Sequence, residues 1–460
     1  MAYLEACATW GNATIFVASE KRQQLNARHV SPKQMVKQMN NNIKKIKFDI
    51  RQYECGEAAY SLIDILQSNG YIAYLAGGCV RDILLGRIPK DFDIATDCLP
   101  EDSIKLFENA KEIGKSFGVV LINHMGHCFE LATFREDFGS LNGRHPRKIC
   151  FSTPPEDSKR RDFTINSMFY DPISETLYDY NNGEVDLELK LVKFVGVADQ
   201  RIIEDHLRML RAVRFESTLW FTMDNEAEIS IKENSKLIKK LSPERIRDEF
   251  VRILCEAEKT GQALKKLNDL NLLIHILPQF SKLSAEHIQM IYEMLDDVTN
   301  MSFELAMATI FQFIIEEHHS SNINKISRHL KLSTQQKNEI TKILLNIDAY
   351  DNFCNLPISQ KKLLFADSSS SKSINLLKLQ SKYGLAARKQ FDSAKEFYEL
   401  NKDFTLPAQL LTGQDLISRG MKPCKKFGEI LEQIYIEQLN ENIETKEDAF
   451  IMLDRILDDQ

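Results

Sequence analysis

The chain has 460 residues, 43% hydrophobic and 27% charged, with a formal net charge of −7. These values describe an ordinary globular protein, long enough for about two to four domains and several cores. They speak against a wholly basic surface, and no run approaches the roughly 18 apolar residues that span a bilayer. A local basic groove remains open, because phosphate affinity depends on clustered Lys and Arg. The nine cysteines are scattered, form no C-x-x-C pair and follow no secretory signal. They read as reduced thiols in an intracellular, cytoplasmic protein.

Residues 1–50 are read as an N-terminal extension. The opening "MAYLEACATWGNATIFVASEKRQQLNARHV" carries Glu5 and Glu20, and organelle transit peptides avoid acids. From Ile50 to Gly70, apolar residues recur at helical spacing and stop at the glycine. "YIAYLAGG" is a short β-prone run that ends in glycines. "DFDIAT" alternates and reads as a strand. "GVVLINHMGHCFELATFR" reads as two strands around a turn at Met125-Gly126. Strands and helices mix without the regular alternation of a repeated βαβ fold.

From Glu204 onward the pattern becomes helix after helix, as in "EDHLRMLRAVRF", "PERIRDEFVRIL" and "SFELAMATIFQFIIEE". "ADSSSSKS", 366–373, reads as a loop between helices. "KKIK" and "IKKL" read as ordinary basic helix faces, and "EEHHSS" as a solvated helix end. His124 and His127 sit on a hairpin without a nearby third ligand, which argues against zinc. The expected architecture is an α+β head followed by an all-helical neck, body and tail. The segments are 51–190, 191–260, 261–400 and 401–460.

Three stretches carry chemistry. In "LAGGCVRDILLGRIPKDFDIATD", Gly77 and Gly78 follow a strand, so backbone amides can approach a phosphate. Arg81 can bind a triphosphate in forked geometry. Asp91 and Asp93 at strand spacing point to one face. Two such carboxylates repel unless a cation sits between them, and Mg²⁺ is the usual cation when phosphates are the substrate. Alone, an Asp-x-Asp is also an ordinary solvated turn.

In "KRRDFTINSMFYDP" (159–172), Arg160 and Arg161 suit phosphate oxygens, and Asp162 can accept from a ribose hydroxyl near Asn166. The plain alternative is a surface salt bridge at a helix start. In "EDHLRMLRAVRF", Asp205 and Arg208 are three apart and share a helix face. An acceptor beside a fork donor fits the pairing edges of cytosine and adenine and mismatches guanine and uracil. The plain alternative is a surface ion pair.

Together these motifs resemble the class II (bacterial-type) tRNA nucleotidyltransferase and poly(A) polymerase family, within the DNA polymerase β superfamily. "SPERIRDEF" resembles the helix behind the base-selecting motif. The resemblance spans about residues 58–254, with the motifs in order. It implies a polymerase-β-like head. It also implies that Asp91 and Asp93 bind catalytic Mg²⁺, with Glu130 of "CFELATFR" as a candidate third carboxylate. Gly77, Gly78 and Arg81 would hold the triphosphate, and Asp162 the ribose, with Arg161 and Asn166 nearby. Asp205 and Arg208 would act as a protein template oriented by Glu204, with Arg211 also in the nucleotide site. There are departures: His206 stands where the family has proline, and "GVADQRIIED" lacks the usual Asp-Pro. His206 is expected on the helix surface.

Within the family, Cys79 leans toward poly(A) synthesis. "IGKSFGVVLI", the loop-like "FREDFGSLNGRHPRKICF" and the tail "LLTGQDLISRGMKPCKKFGEILEQIYIEQLNENIETKEDA" lean toward tRNA enzymes. The expectation is therefore addition of CCA, or part of it, to the 3′ end of tRNA from CTP and ATP. Poly(A) synthesis, A-only addition and non-catalytic RNA binding are the alternatives.

Overall fold

In a computed structural model of the chain, residues 43–114, 118–141, 145–314, 319–401, 404–423 and 426–458 are described. The readings of residues 1–42, of Lys115–Phe117 and of the start of "EEHHSS" fall outside them. The chain divides into two compact units. One holds residues 43–139, 147–189 and 193–196, and the other the remaining described residues.

The first unit is built on an eight-stranded sheet. Its strands are β1 (Ile43–Lys45), β2 (Ala73–Ala76), β3 (Ile94–Thr96), β4 (Ala110–Gly114), β5 (Val119–His124), β6 (His127–Thr133), β9 (Phe169–Asp171) and β10 (Thr176–Tyr178), while β7 (Arg135–Leu141) and β8 (His145–Phe151) form a separate two-stranded sheet. The sheet order is β1-β10-β9-β2-β3-β6-β5-β4. Only β3 and β6 pair in parallel; the other neighbours are antiparallel. The expected β5–β6 turn forms at Met125 (φ 50°) and Gly126 (φ 83°), both left-handed as a two-residue hairpin requires.

The expected first helix runs Gly56–Ser68 and buries Leu62, Ile63 and Leu66, one stripe at helical spacing. The chain turns out of it at Gly70 (φ 85°). "KKIK" is no helix face: its first two lysines lie in edge strand β1, where exposed Lys discourages further strand pairing. "IKKL" ends a 3₁₀ segment, Ser235–Lys240.

The second unit is helical. Helices Arg208–Leu219, Pro243–Glu256 and Thr260–Asp269 bury Leu210, Val213, Phe250, Ile253, Leu254, Leu264 and Leu267. Spacings of three and four give each helix an apolar stripe. The serine run is a loop between helices only over Asp367–Ser369, after the helix Ile358–Ala366. Ser370 starts the helix Ser370–Lys382, and Ser369 and Ser373 are fully buried, where their hydroxyls meet Asn346. The last segment has its own small core of Leu411, Leu416, Ile430, Ile434, Ile443, Ala449 and Leu453. No described helix is long and apolar enough to cross a membrane.

Candidate active site

Strand β2 is followed by Gly77, whose φ of 75° lies where side chains are strained. A Cβ there would stand 3.2 Å from Nη1 of Arg161. The glycine thus allows both the turn and the close approach of a cation. Just before it, the Ala76 amide donates to the Asp93 carbonyl at 2.9 Å, tying the glycine turn to the aspartate segment. Cys79 lies beneath this junction. Its thiol is buried, donates to the Ala76 carbonyl, and is pushed up to about 12, chiefly by burial and then by Asp93.

The aspartates do not lie in the strand, as the alternation suggested. They form an extended lead-in, and β3 begins at Ile94. The alternation still holds: Phe92 and Ile94 are buried, while Asp91 and Asp93 are exposed. The parallel register pairs Ile94 with Leu131. The preceding residues, Asp93 and Glu130, are therefore neighbours on the opposite face.

Asp93 is exposed, yet protein crowds its carboxyl. Burial pushes it up to about 6, helped by the charges of Asp91 and Glu130 and opposed by Arg161. The carboxylates of Asp91, Asp93 and Glu130 make no hydrogen bond or ion pair with the described residues. Among the described residues, no group of three or more His, Cys, Asp or Glu side chains is arranged to hold a metal ion by itself.

A polar chain runs from the glycine turn to the second motif. Arg81, largely buried, binds Asp82 through Nε and Nη2 and donates from Nη1 to Asn166 at 2.7 Å. Asn166 in turn donates to Asp162 at 3.4 Å. The segment is not an amphipathic helix start but a single 3₁₀ turn, Thr164–Asn166, leading into β9. Arg161 lies over the Phe169 ring at 4.8 Å.

Sequence reasoning missed Asp157. It is 1% exposed and pairs with both Arg160 (2.6 Å) and Arg161 (3.0 Å). Burial alone would raise its carboxyl, but the guanidiniums of Arg161 and Arg160 outweigh that and hold it below the usual range. The signal was present, an acid three and four residues before the arginines in "PPEDSKRRDF".

In the second unit, the expected shared face of Asp205 and Arg208 is absent. The helix Ala198–Glu204 ends at Asp205, which is extended (φ −144°, ψ 108°) and caps the turn by accepting from the Leu207 amide at 3.1 Å. A new helix begins at Arg208. Aspartate competes well for such backbone donors, which is why the helix breaks there. Glu204 holds Arg208 instead, at 2.8 Å.

The partner of Asp205 is Arg245, forty residues on, at 3.0 Å. Sequence reasoning marked its helix but not this residue. The Nη1 of Arg245 is buried without a hydrogen-bond partner among the described residues. His206 is not on the surface: it is 3% exposed, and its Nδ1 bonds the Ile202 carbonyl at 2.9 Å. Behind the turn, Arg214 and Glu249 form a buried ion pair at 2.8 Å, with Arg211 at 3.9 Å from the same carboxylate.

Comparison with known proteins decides the family. Residues 73–193 match the model for the poly A polymerase head domain. Residues 220–283 match the model for a probable RNA and SrmB-binding site of polymerase A. A CCA-adding enzyme of Lactobacillus helveticus is 30% identical over 393 residues, 85% of this chain and 94% of that protein. The chain belongs to the CCA-adding enzyme family.

Its similarity to other CCA-adding enzymes is more local. The Lactobacillus johnsonii protein is 42% identical over 197 residues, 43% of this chain, and the match spans about half (49%) of that relative. The fold agrees with solved CCA-adding enzymes. The Bacillus stearothermophilus protein in complex with CTP superposes with a TM-score of 0.69 at 24% identity, over 87% of this chain and 97% of that one. The Thermotoga maritima protein complexed with tRNA gives 0.60 at 19% identity, over 92% of this chain and 98% of that one.

Proposed function

We propose that this chain adds CCA to the 3′ end of tRNA from CTP and ATP without a nucleic-acid template. The observation that carries the proposal is the meeting of Asp93 with Glu130 and Asp91 beside the glycine turn, across the parallel β3–β6 register. Carboxylates gathered in this way, none of them ion-paired with a described residue and only partly offset by the charge of Arg161, suit a bound divalent cation.

Asp91 and Asp93 fit a divalent cation that takes its remaining ligands from phosphate oxygens, as Mg²⁺ does with one or two carboxylates. Bound there, it would neutralise phosphate charge and favour the attacking alkoxide. Glu130 stands as the third carboxylate beside them. Gly77 leaves room for a phosphate against the backbone, where Arg161 adds positive charge. Asp157 holds Arg161 and Arg160 in place. Asp162 accepts from the ribose hydroxyl, oriented by Asn166 and Arg81. The RNA 3′-hydroxyl attacks the α-phosphorus in line, and pyrophosphate leaves with no covalent enzyme intermediate.

Base choice falls to Asp205 as acceptor and Arg208 as donor, with Glu204 holding Arg208 and Arg245 holding Asp205. Arg211 lies next along the same helix. The Cys79 thiol turns to the backbone and offers nothing to a nucleotide, which weakens the one residue that leaned toward poly(A) synthesis.

Sequencing the products formed with CTP, ATP and Mg²⁺ tests the reading. A tRNA lacking its 3′ end should gain C, C and A and then stop. A single A on a CC-ended tRNA with no productive extension of the shorter one would mean A-only addition. Long A tracts on an unstructured RNA would mean poly(A) synthesis.

A further inference from the structure

Trp220 ends the helix Arg208–Leu219 in the left-handed conformation (φ 60°, ψ 46°), where its amide and that of Phe221 bond back to the Glu216 carbonyl. Glycine is the residue such helix ends favour, and a bulky aromatic there is a strained outlier. Strain of this kind persists where the surroundings require it. Here it leaves an indole 53% exposed.

The indole forms one wall of a recess of about 290 Å³, lined also by Glu216, Phe221, Lys259, Gln262 and Lys266. At its back, Oε1 of Glu216 accepts from the Met223 amide and meets Lys266 at 3.0 Å. Oε2 is buried with no hydrogen-bond partner among the described residues. The recess thus offers an exposed indole beside a wall bearing Lys259 and Gln262. A planar ring attached to a phosphate backbone matches that pair, the ring on the indole and the phosphate toward the lysine.

We propose that this recess takes one unpaired nucleobase of the RNA, stacked on Trp220, with its phosphate beside Lys259. This rests on the reading that the chain acts on RNA. Stacking on an aromatic tolerates any base, because every base has a π-face. The site therefore holds RNA without selecting the nucleotide to be added.

The chain has two tryptophans, so Trp10→Phe leaves Trp220 as the sole indole emitter. A tRNA lacking its 3′ end should quench that emission saturably, and guanosine monophosphate at the same concentration should not. Trp220→Gly suits the left-handed backbone there and should fold. It should weaken RNA binding by roughly tenfold and raise the KM for tRNA while leaving kcat unchanged.

Unaltered emission when anisotropy shows RNA bound overturns the proposal, as does wild-type affinity in Trp220→Gly. Quenching by the free nucleotide at RNA-like concentrations makes this a mononucleotide site and overturns it as well. CTP and ATP incorporation by the same Trp10→Phe sample separates the two readings. Incorporation without quenching sinks the base pocket alone, whereas quenching without incorporation sinks the transferase reading.

Discussion

The acids of the two candidate regions are treated in opposite ways. In the first unit, Asp91, Asp93 and Glu130 lie together without a hydrogen bond or ion pair among the described residues. In the second, Glu204, Asp205 and Glu249 each hold an arginine. Acids left to repel store unfavourable energy that a bound cation releases, and so mark chemistry. Acids paired with arginine fix a geometry, which is what the proposed template would need.

The largest expected effect breaks the first half of this comparison. Asp91→Ala should reduce nucleotide incorporation by at least about a thousandfold, since metal-assisted charge stabilisation supplies several kcal/mol. Its Tm in the absence of metal should be no lower than the parent's, because a repelling charge is gone. Near-normal turnover would refute the metal assignment.

Next comes Asp157, the paired acid of the first unit. Asp157→Ala should cost about 3 kcal/mol by chemical denaturation, as breaking a buried ion pair does. The pH dependence has a definite sign. The Asp157 carboxyl lies lower in the folded than in the unfolded chain, so its stabilisation is present above the unfolded value near 3.9 and is lost as pH falls toward the folded one. Over that window Asp157→Asn should lose less stability than the parent. An equal loss would show that Asp157 does not carry this linkage.

A smaller effect tests the template. Arg245→Ala frees Asp205 and should lower the preference for C and A over G and U about tenfold, as losing a charged hydrogen bond does. Competition among the four nucleotides measures it. Unchanged selectivity would confine Arg245 to packing. Smallest is Gly77→Ala, expected to cost on the order of 1 kcal/mol from its positive φ, with a rise in nucleotide KM as Arg161 is pushed aside.

What the sequence disclosed follows from the range of each interaction. The alternation of Asp91 and Asp93 was legible because strand periodicity is local, although β3 itself starts later, at Ile94. The hairpin at Met125-Gly126 was legible for the same reason. Glu130 was legible as a candidate third carboxylate only through the family resemblance; the residues alone could not place it beside Asp93, because that depends on a parallel register between distant strands. The Asp205–Arg208 face was misread because spacing of three predicts contact only within an unbroken helix, and the aspartate itself ends that helix. Arg245 lies forty residues away and could be placed only by folding. His206 and the serine run were judged by polarity alone. In the structure, hydrogen bonds to the Ile202 carbonyl and to Asn346 let both be buried.

The strand order has a consequence for how the protein is made. β2 lies between β3 and β9, and β1 waits for β10, so Ile43 meets Tyr178 only after most of the first unit has been synthesised. Synthesis delivers the chain from its N-terminus, and distant pairings form slowly. A nascent chain that has passed Thr133 but not reached Phe169 already carries Asp91, Asp93 and Glu130, yet the β9 side of β2 is an open edge. The interval between those two residues is therefore when this protein is most exposed to aggregation, and a stop codon within it should yield insoluble fragments.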